Sequence, residues 1–303
     1  MLNPKTTHYL ALLIGAIAVS TSAILVKLSS APAAIIATYR LLFAVILMLP
    51  FFSPKYWKEI RLIKKKDWVF SIIAGVFLAF HFIFWFESLN YTSVASSVVL
   101  VTLQPIFAFV GTYFFYKEKI SLGALLSGIL AIIGSFIISW GDFQISGMAL
   151  WGDFLAIIAA VMVTAYFLFG QTVRKRLSLF TYTFVVYLIS SITLIMYDLI
   201  LGYTFFSYSK QDWIVFLLLA IIPTLLGHTL FNWAIKWLST SVISMSILFE
   251  PVGASILAYF ILNEVLTVSQ WIGGLLLLAG LFLFLWMNSL KEKILEKSKK
   301  AIS

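Results

Sequence analysis

A carboxylate and a proline stand side by side in the middle of an apolar run, "ILFEPVGASIL", from Ile247 to Leu257. An ionised carboxylate at the centre of a bilayer costs at least about 2.5–3.5 kcal/mol when it faces lipid. Glu250 must therefore face a polar interior or keep its proton. Two readings follow: a polar or proton-handling group on a transport pathway, or a protonated side chain hydrogen-bonded inside a helix bundle. Pro251 lacks an N–H, which leaves the carbonyl four residues earlier, that of Ile247, without its helical donor. Gln104-Pro105 repeats the arrangement and frees Val101. In lipid such a carbonyl must find a donor or face protein or water, and transport sites are often built from interrupted helices. A kink that only shapes packing is the alternative.

Three further residue types could do chemistry in these runs. His81 and His228 titrate near neutral pH and could bind substrate or relay a proton; a hydrogen-bonded core histidine is the other reading. Trp85 and Asn232 follow them by four residues and share their helix faces. The two histidines fall at mirrored depths, so their rings are expected far apart and no metal site is predicted. Arg40 could grip a carboxylate or phosphate, or pair with a neighbour as a structural group. Val186 stands at its position in the second half. Phe80, Phe82, Phe84, Trp85, Phe86 and Tyr91 crowd one run, and some could line a pocket for a flat or cationic substrate, although packing and lipid contact explain them equally.

These residues sit in a chain that is 62% hydrophobic and only 11% charged, against about a quarter charged in soluble domains. The composition excludes a soluble fold and predicts an all-α integral membrane protein. A helix crossing the hydrocarbon needs about 20 apolar residues. Ten runs qualify: 8–27, 33–53, 68–88, 92–116, 121–140, 149–170, 180–201, 212–234, 240–262 and 267–289. The first could be a signal peptide, but Pro32 after Ser29-Ser30-Ala31 disfavours cleavage. Trp57, Trp68, Trp140, Trp151, Trp213, Trp271 and Trp286 lie at run ends, where interfacial anchors belong.

The net charge of +9 lies between the apolar runs, which points to a membrane surface and not to nucleic acid. With a cytoplasmic N-terminus, eighteen of the 21 basic residues fall on the inner side and only Lys27 and Lys210 on the outer. This asymmetry predicts a multi-pass protein of the plasma membrane with both termini cytoplasmic. Asp153 and Asp198, near run ends, are expected to reach headgroups or water. The chain has no cysteine, so thiolate ligands and disulfides are excluded.

The chain also repeats itself. "LVTLQPIFAFVGTYFFYKE" (100–118) matches "SILFEPVGASILAYFILNE" (246–264), pairing Pro105 with Pro251, Gln104 with Glu250 and Glu118 with Glu264. Gly128 pairs with Gly274 and Gly134 with Gly280, and these four are expected to pack helices closely. Glu118 and Glu264, at helix ends, are expected to cap or pair. The units are 1–147 and 148–290, five helices each, followed by a basic tail at 291–303. Five is odd, so the second unit enters from the opposite side: an inverted-topology repeat, suited to exposing one central site alternately to each face.

On the two helix prolines, the glutamate thirteen residues after each, and the glycine-bearing helix that follows, the chain resembles the drug/metabolite transporter superfamily, specifically its EamA-like ten-helix branch. The resemblance spans about 8–289. It implies a secondary transporter exporting amino acids, similar small metabolites or drugs. The polar groups read above, Glu250, Gln104, His81, His228, Trp85, Asn232 and Arg40, are the candidates for its substrate or proton pathway. Such proteins often carry glycine before the paired glutamate, where this chain has Lys117 and Asn263.

No GxSxG, HExxH or GxxxxGK[ST] motif occurs, so no cofactor, nucleotide drive or enzyme activity is expected. A membrane enzyme, or a scaffold using the basic 55–66 loop to hold lipid or a partner, is the competing reading. The expected partners are a small-molecule substrate and the bilayer, and the sequence sets no oligomeric state.

Overall fold

The computed structural model describes the backbone of residues 4–118 and 121–302, with their side chains except at 4–6, 139, 142–145, 281, 285 and 288–302. Lys119 and the side chains of the lysines after Leu290, all part of the charge count, lie outside the described residues. In chain order the elements are α1 (Thr7–Lys27), α2 (Ala33–Phe51), the short α3 (Pro54–Arg61), α4 (Lys65–Ser88), α5 (Val94–Tyr116), α6 (Leu122–Ile145), α7 (Gly147–Arg174), α8 (Leu179–Ile200), α9 (Lys210–Ala234), α10 (Thr240–Leu262) and α11 (Val268–Ile302).

Hydrocarbon leaves a backbone no outside partner, so helices that close their own hydrogen bonds are the available solution. Eight of the described helices are long and apolar enough to span a bilayer. Shorter apolar stretches, Leu122–Ile138 and Val268–Phe284, lie within α6 and α11. No strand occurs among the described residues. The protein is an all-helical, multi-pass membrane protein. Its basic tail continues α11 as helix. Serines start several helices: Ser93, Ser146, Ser178 and Ser209 each accept a backbone N–H of the first turn, occupying donors that a helix start leaves open.

The packing follows the repeat. α4 runs along α7, and its counterpart α9 runs along α1; α2 packs on α8 and α6 on α11. Exchanging the two halves maps this set of contacts onto itself. The α6–α11 seam is closed by small residues. A Cβ on Gly134 would come within 2.6 Å of the Gly273 carbonyl oxygen, and one on Gly280 within 3.0 Å of that of Ser127. The expectation fails at Gly128 and Gly274, where an added Cβ meets nothing within 4 Å. These two point away from the seam, because a helical position one residue away is turned by roughly 100°.

The departure at Lys117 and Asn263 has a backbone explanation. Both residues are left-handed, with φ of 57° and 56°, and each terminates a helix. The following N–H, of Glu118 or Glu264, reaches back six residues to the carbonyl of Thr112 or Ala258, at 3.2 Å in both halves. This is a left-handed helix stop, wider by one residue than a Schellman closure, at a position that glycine fills without strain. Lys117→Gly is expected to stabilise the fold by about 1 kcal/mol, and Asn263→Gly by less, since asparagine tolerates the left-handed region. Thermal unfolding in detergent measures both; an unchanged or lowered midpoint for Lys117→Gly would refute the strain argument.

Candidate functional site

The two proline-bearing spans are interrupted just before their prolines, where the ladder tightens to i−3 hydrogen bonds at Leu103, Leu248 and Phe249. α5 consists of Val94–Val101 and Gln104–Tyr116, and α10 stops at Ile247 and resumes at Glu250. The breaks, at 102–103 and 248–249, are equivalent positions of the repeat. Gln104 and Glu250 therefore open new helical segments, and each proline sits in a first turn, where its missing N–H has no helical partner to lose. The carbonyls that open the new segments also accept from hydroxyls of the opposite half. Thr164 of α7 shares its hydrogen between the Ala160 carbonyl (2.8 Å) and that of Gln104 (3.4 Å). Ser20 of α1 does the same for Ala16 (2.8 Å) and Glu250 (3.1 Å).

Both breaks border one small cavity of ≈ 20 Å³, about the room of one water. Its polar lining is His81 and Trp85 from α4, Gln104 from α5, His228 from α9 and Glu250 from α10, with Phe167 and Phe231 as apolar wall. Five of the seven pathway candidates thus meet at one point. The expectation that the two histidines lie far apart is corrected: at mirrored depths near the middle of the bundle, both still border the same small space. Among the described residues no three His, Asp or Glu side chains gather as a metal site.

His81 Nδ1 lies 2.9 Å from the Ala159 carbonyl. A carbonyl only accepts, so this bond assigns the proton to Nδ1 and leaves Nε2 of the neutral ring as an acceptor. The Trp85 indole stacks on the His81 ring at 5.6 Å. Trp85 Nε1, Gln104 Oε1, His228 Nδ1 and Glu250 Oε1 are all buried without a hydrogen-bond partner in the protein. An unmet buried polar group costs about 1–3 kcal/mol; four on the lining of one cavity mark it as a place for a polar ligand.

Arg40 and Asn232 sit one layer back, outside the cavity lining. Arg40 is fully buried. Its Nε donates to Thr224 (2.7 Å) and its Nη1 to Ser22 (2.8 Å), and its guanidinium lies 4.1 Å from the ring centroid of Phe82. The other side of this layer is the cavity: the Phe82 ring meets His228 edge-on at 5.5 Å. Arg40 thus holds a fixed positive charge behind the site, with Nη2 unpartnered. Asn232 Oδ1 accepts from the Tyr166 hydroxyl (2.7 Å), and its carbonyl accepts from Arg174 Nε (2.8 Å). Arg174, counted from sequence as a loop charge, is buried because backbone carbonyls, including that of Leu177, take its donors.

His228 closes a π-helical stretch, Ala220–His228, that contains Pro223. A π-turn holds one residue more than an α-turn. That is the one-residue difference between the His81–His228 spacing and the repeat offset. Asp153 and Asp198 do not reach headgroups or water as expected. Both are buried, and Asp198 Oδ2 accepts from Thr38 at 2.5 Å. Ser20, Ser22, Thr164 and Thr224, absent from the sequence candidates, support the site, as does Phe82 from the aromatic run. Their only sequence signal is a hydroxyl or ring inside an apolar span.

Hydrogen bonds tie the broken helices to other spans on both sides of the cavity. At one end Glu264 Oε2 caps Val94 N–H (3.0 Å), as its helix-end position predicts, and Gln270 donates to Ser93 and Ser96. A cleft of ≈ 240 Å³ opens beside these contacts. At the other end Gln171 accepts from Thr240 (2.9 Å to the backbone N) and Thr112 pairs with Ser241 (3.0 Å).

The profile of the EamA-like transporter family matches residues 6–140 and 150–286. A Bacillus subtilis (strain 168) protein named "Uncharacterized transporter YxxF" is 29% identical over 73% of this chain and 71% of its own. The "Riboflavin transporter ImpX" of Fusobacterium nucleatum is 22% identical over 79% of this chain and 84% of its own. A solved crystal structure superposes with a TM-score of 0.68 at 16% identity, covering 92% of this chain and 96% of that one, and so shares the fold.

Asn232 lies behind the cavity lining with its Oδ1 held by Tyr166 and its Nδ2 buried without a partner in the protein. Tyr166→Phe removes the donor to its Oδ1 and is expected to lower stability by about 0.6 kcal/mol, at most about 1.7, the range of interhelical hydrogen bonds in membranes. Transport per folded molecule should stay unchanged. A large loss of transport without a shift in unfolding would instead put Asn232 on the pathway.

Proposed function

The chain belongs to the EamA-like transporter family, and we propose that this membrane transporter exports amino acids or similar small metabolites across the plasma membrane by alternating access. The observation that carries the reading is the central cavity, where two symmetry-related helix breaks meet and four buried polar atoms have no protein partner. Ligand pockets usually measure roughly 300–1,000 Å³, so a cavity of ≈ 20 Å³ must widen to admit a metabolite. The half-helices flanking the breaks are the parts able to move. Opening toward one face would part the Glu264 and Gln270 contacts; opening toward the other would part those of Gln171 and Thr112. The two sets differ chemically, so the two open states differ in energy and substrate or ion binding must tip the balance.

In this mechanism Glu250 and Gln104 hold the substrate at the breaks, and His81, His228 and Trp85 complete its polar contacts. A proton resting on Glu250 in one state and leaving in the other would couple transport to the proton gradient. Riboflavin, from the relative's name, is a second substrate candidate, favoured by the aromatic wall of Trp85, Phe167 and Phe231.

Metabolite profiling of the medium from cells expressing wild type, Glu250→Gln or an empty vector tests the reading. Wild type alone should enrich specific metabolites, with at least about a tenfold loss in the variant, equivalent to about 1.4 kcal/mol. Equal enrichment by the variant would reduce Glu250 to a structural residue, and no enrichment by well-expressed wild type would defeat the export reading.

The proposed orientation, with both termini cytoplasmic, has its own test in a chain without native cysteine. A membrane-impermeant maleimide should label Lys210→Cys on intact cells, and Lys58→Cys only after permeabilisation. The reverse pattern would invert the topology.

A further inference from the structure

The loop between α2 and α4 is a built surface and not a plain run of charge. Within it α3 is amphipathic. Tyr56, Glu59 and Ile60 share the face turned to the bundle: Tyr56 stacks on Phe180 at 4.5 Å, and Ile60 packs on the core. Glu59 caps the start of α8, accepting from Ser178 N (2.7 Å), Ser178 Oγ (2.5 Å) and Thr181 Oγ1 (2.5 Å). Burial pushes the Glu59 carboxyl up, but these bonds and nearby Lys55 outweigh it and hold it below its ordinary value. The segment's other acid, Asp67, is also buried and paired with Arg176.

With both carboxylates turned inward, the exposed face is cationic throughout: Lys55, Lys58, Arg61, Lys64, Lys65 and Lys66. Exposed Phe51, Trp57 and Leu62 lie among these charges. Two residues join α3 to the end of one spanning helix and three join it to the start of another, so it lies at the level where hydrocarbon meets headgroups. Interleaved cations and apolar side chains at that depth match a surface of phosphate headgroups over acyl chains.

We propose that α3 and the residues up to Lys66 form a docking surface for anionic phospholipid, with the cations on headgroup phosphates and Trp57 and Leu62 in the acyl boundary. Through Tyr56 and Glu59 the bound lipid would fix α8, and with it α2 and α4, relative to the membrane plane.

Native mass spectrometry of the full chain, released from bilayers of mixed phosphatidylcholine and phosphatidylglycerol, tests this. Wild type should retain phosphatidylglycerol in preference, and the Lys55→Gln/Lys58→Gln/Arg61→Gln variant should lose that preference by roughly fivefold or more. Lys27→Gln/Lys210→Gln, at the opposite end of the bundle, should keep it. Equal unfolding midpoints in phosphatidylcholine alone would show that the variants fold. Equal retention by the triple variant would overturn the proposal. So would displacement of the lipid by inorganic phosphate at matched ionic strength, which would mean a site for a soluble anion.

Discussion

A helix broken inside hydrocarbon has no water to turn to. That constraint organises the structure. Beside the breaks at 102–103 and 248–249, hydroxyls from the opposite half bond the first carbonyls of the new segments, Thr164 that of Gln104 and Ser20 that of Glu250. Each half thus ties down the other beside its break. Prolines in the new first turns make the breaks permanent, since continuous helix there would clash with the ring. The polar cavity is the by-product: where two helices stop at the same depth, side chains that begin the next segments converge.

Symmetry explains where the site is, and departures from symmetry explain what it can do. The backbone is nearly two-fold: matching breaks, matching left-handed stops and matching six-residue closures. The side chains are not. Glu250 stands where Gln104 stands in the other half, Arg40 has no equivalent, and the π-stretches Ala220–His228 in α9 and Ala258–Leu262 in α10 have no counterpart in α4 and α5. A π-segment loosens the helix ladder, and here Thr224 in the α9 stretch also holds the Arg40 guanidinium. The charge behind the cavity is therefore anchored to an irregular part of α9, on the same wall that presents His228.

How much of this was legible in the sequence follows from what each signal encodes. The repeat was readable because proline, glutamate and glycine are rare enough in apolar helices for their alignment to carry weight, and the common depth of Gln104 and Glu250 followed from it; that His81 and His228 border the same space did not, since mirrored depths say nothing of how closely two helices approach. Helical spacing states which face a residue shares and not what that face meets, so Asn232 was grouped with His228 although Tyr166 and Arg174 engage it. The same limit misplaced Gly128 and Gly274. Distance from a run end is a poor guide to burial: Asp198 lies near one and is fully buried because Thr38, 160 residues away, supplies its donor. Arg40's partners Ser22 and Thr224 were equally out of reach, since neither has a sequence pattern of its own.

Lys117 and Asn263 show the opposite case, in which an apparent irregularity was structural information. Without a backbone they read as substitutions of no consequence. With φ near +57° at both, they show that the left-handed stop is retained even where its favoured residue is absent, so the surrounding contacts must enforce it. Glu264 is one such contact: by capping Val94 it joins the stop of α10 to the start of α5. In the other half that place on Thr240 is taken by Gln171 from α7. One end of the bundle is therefore joined by a carboxylate and the other by an amide. The repeat thus conserves the backbone that presents these contacts and not their chemistry: Val94 and Thr240 are equivalent positions, yet one N–H is held by a carboxylate from a loop and the other by an amide from a neighbouring helix.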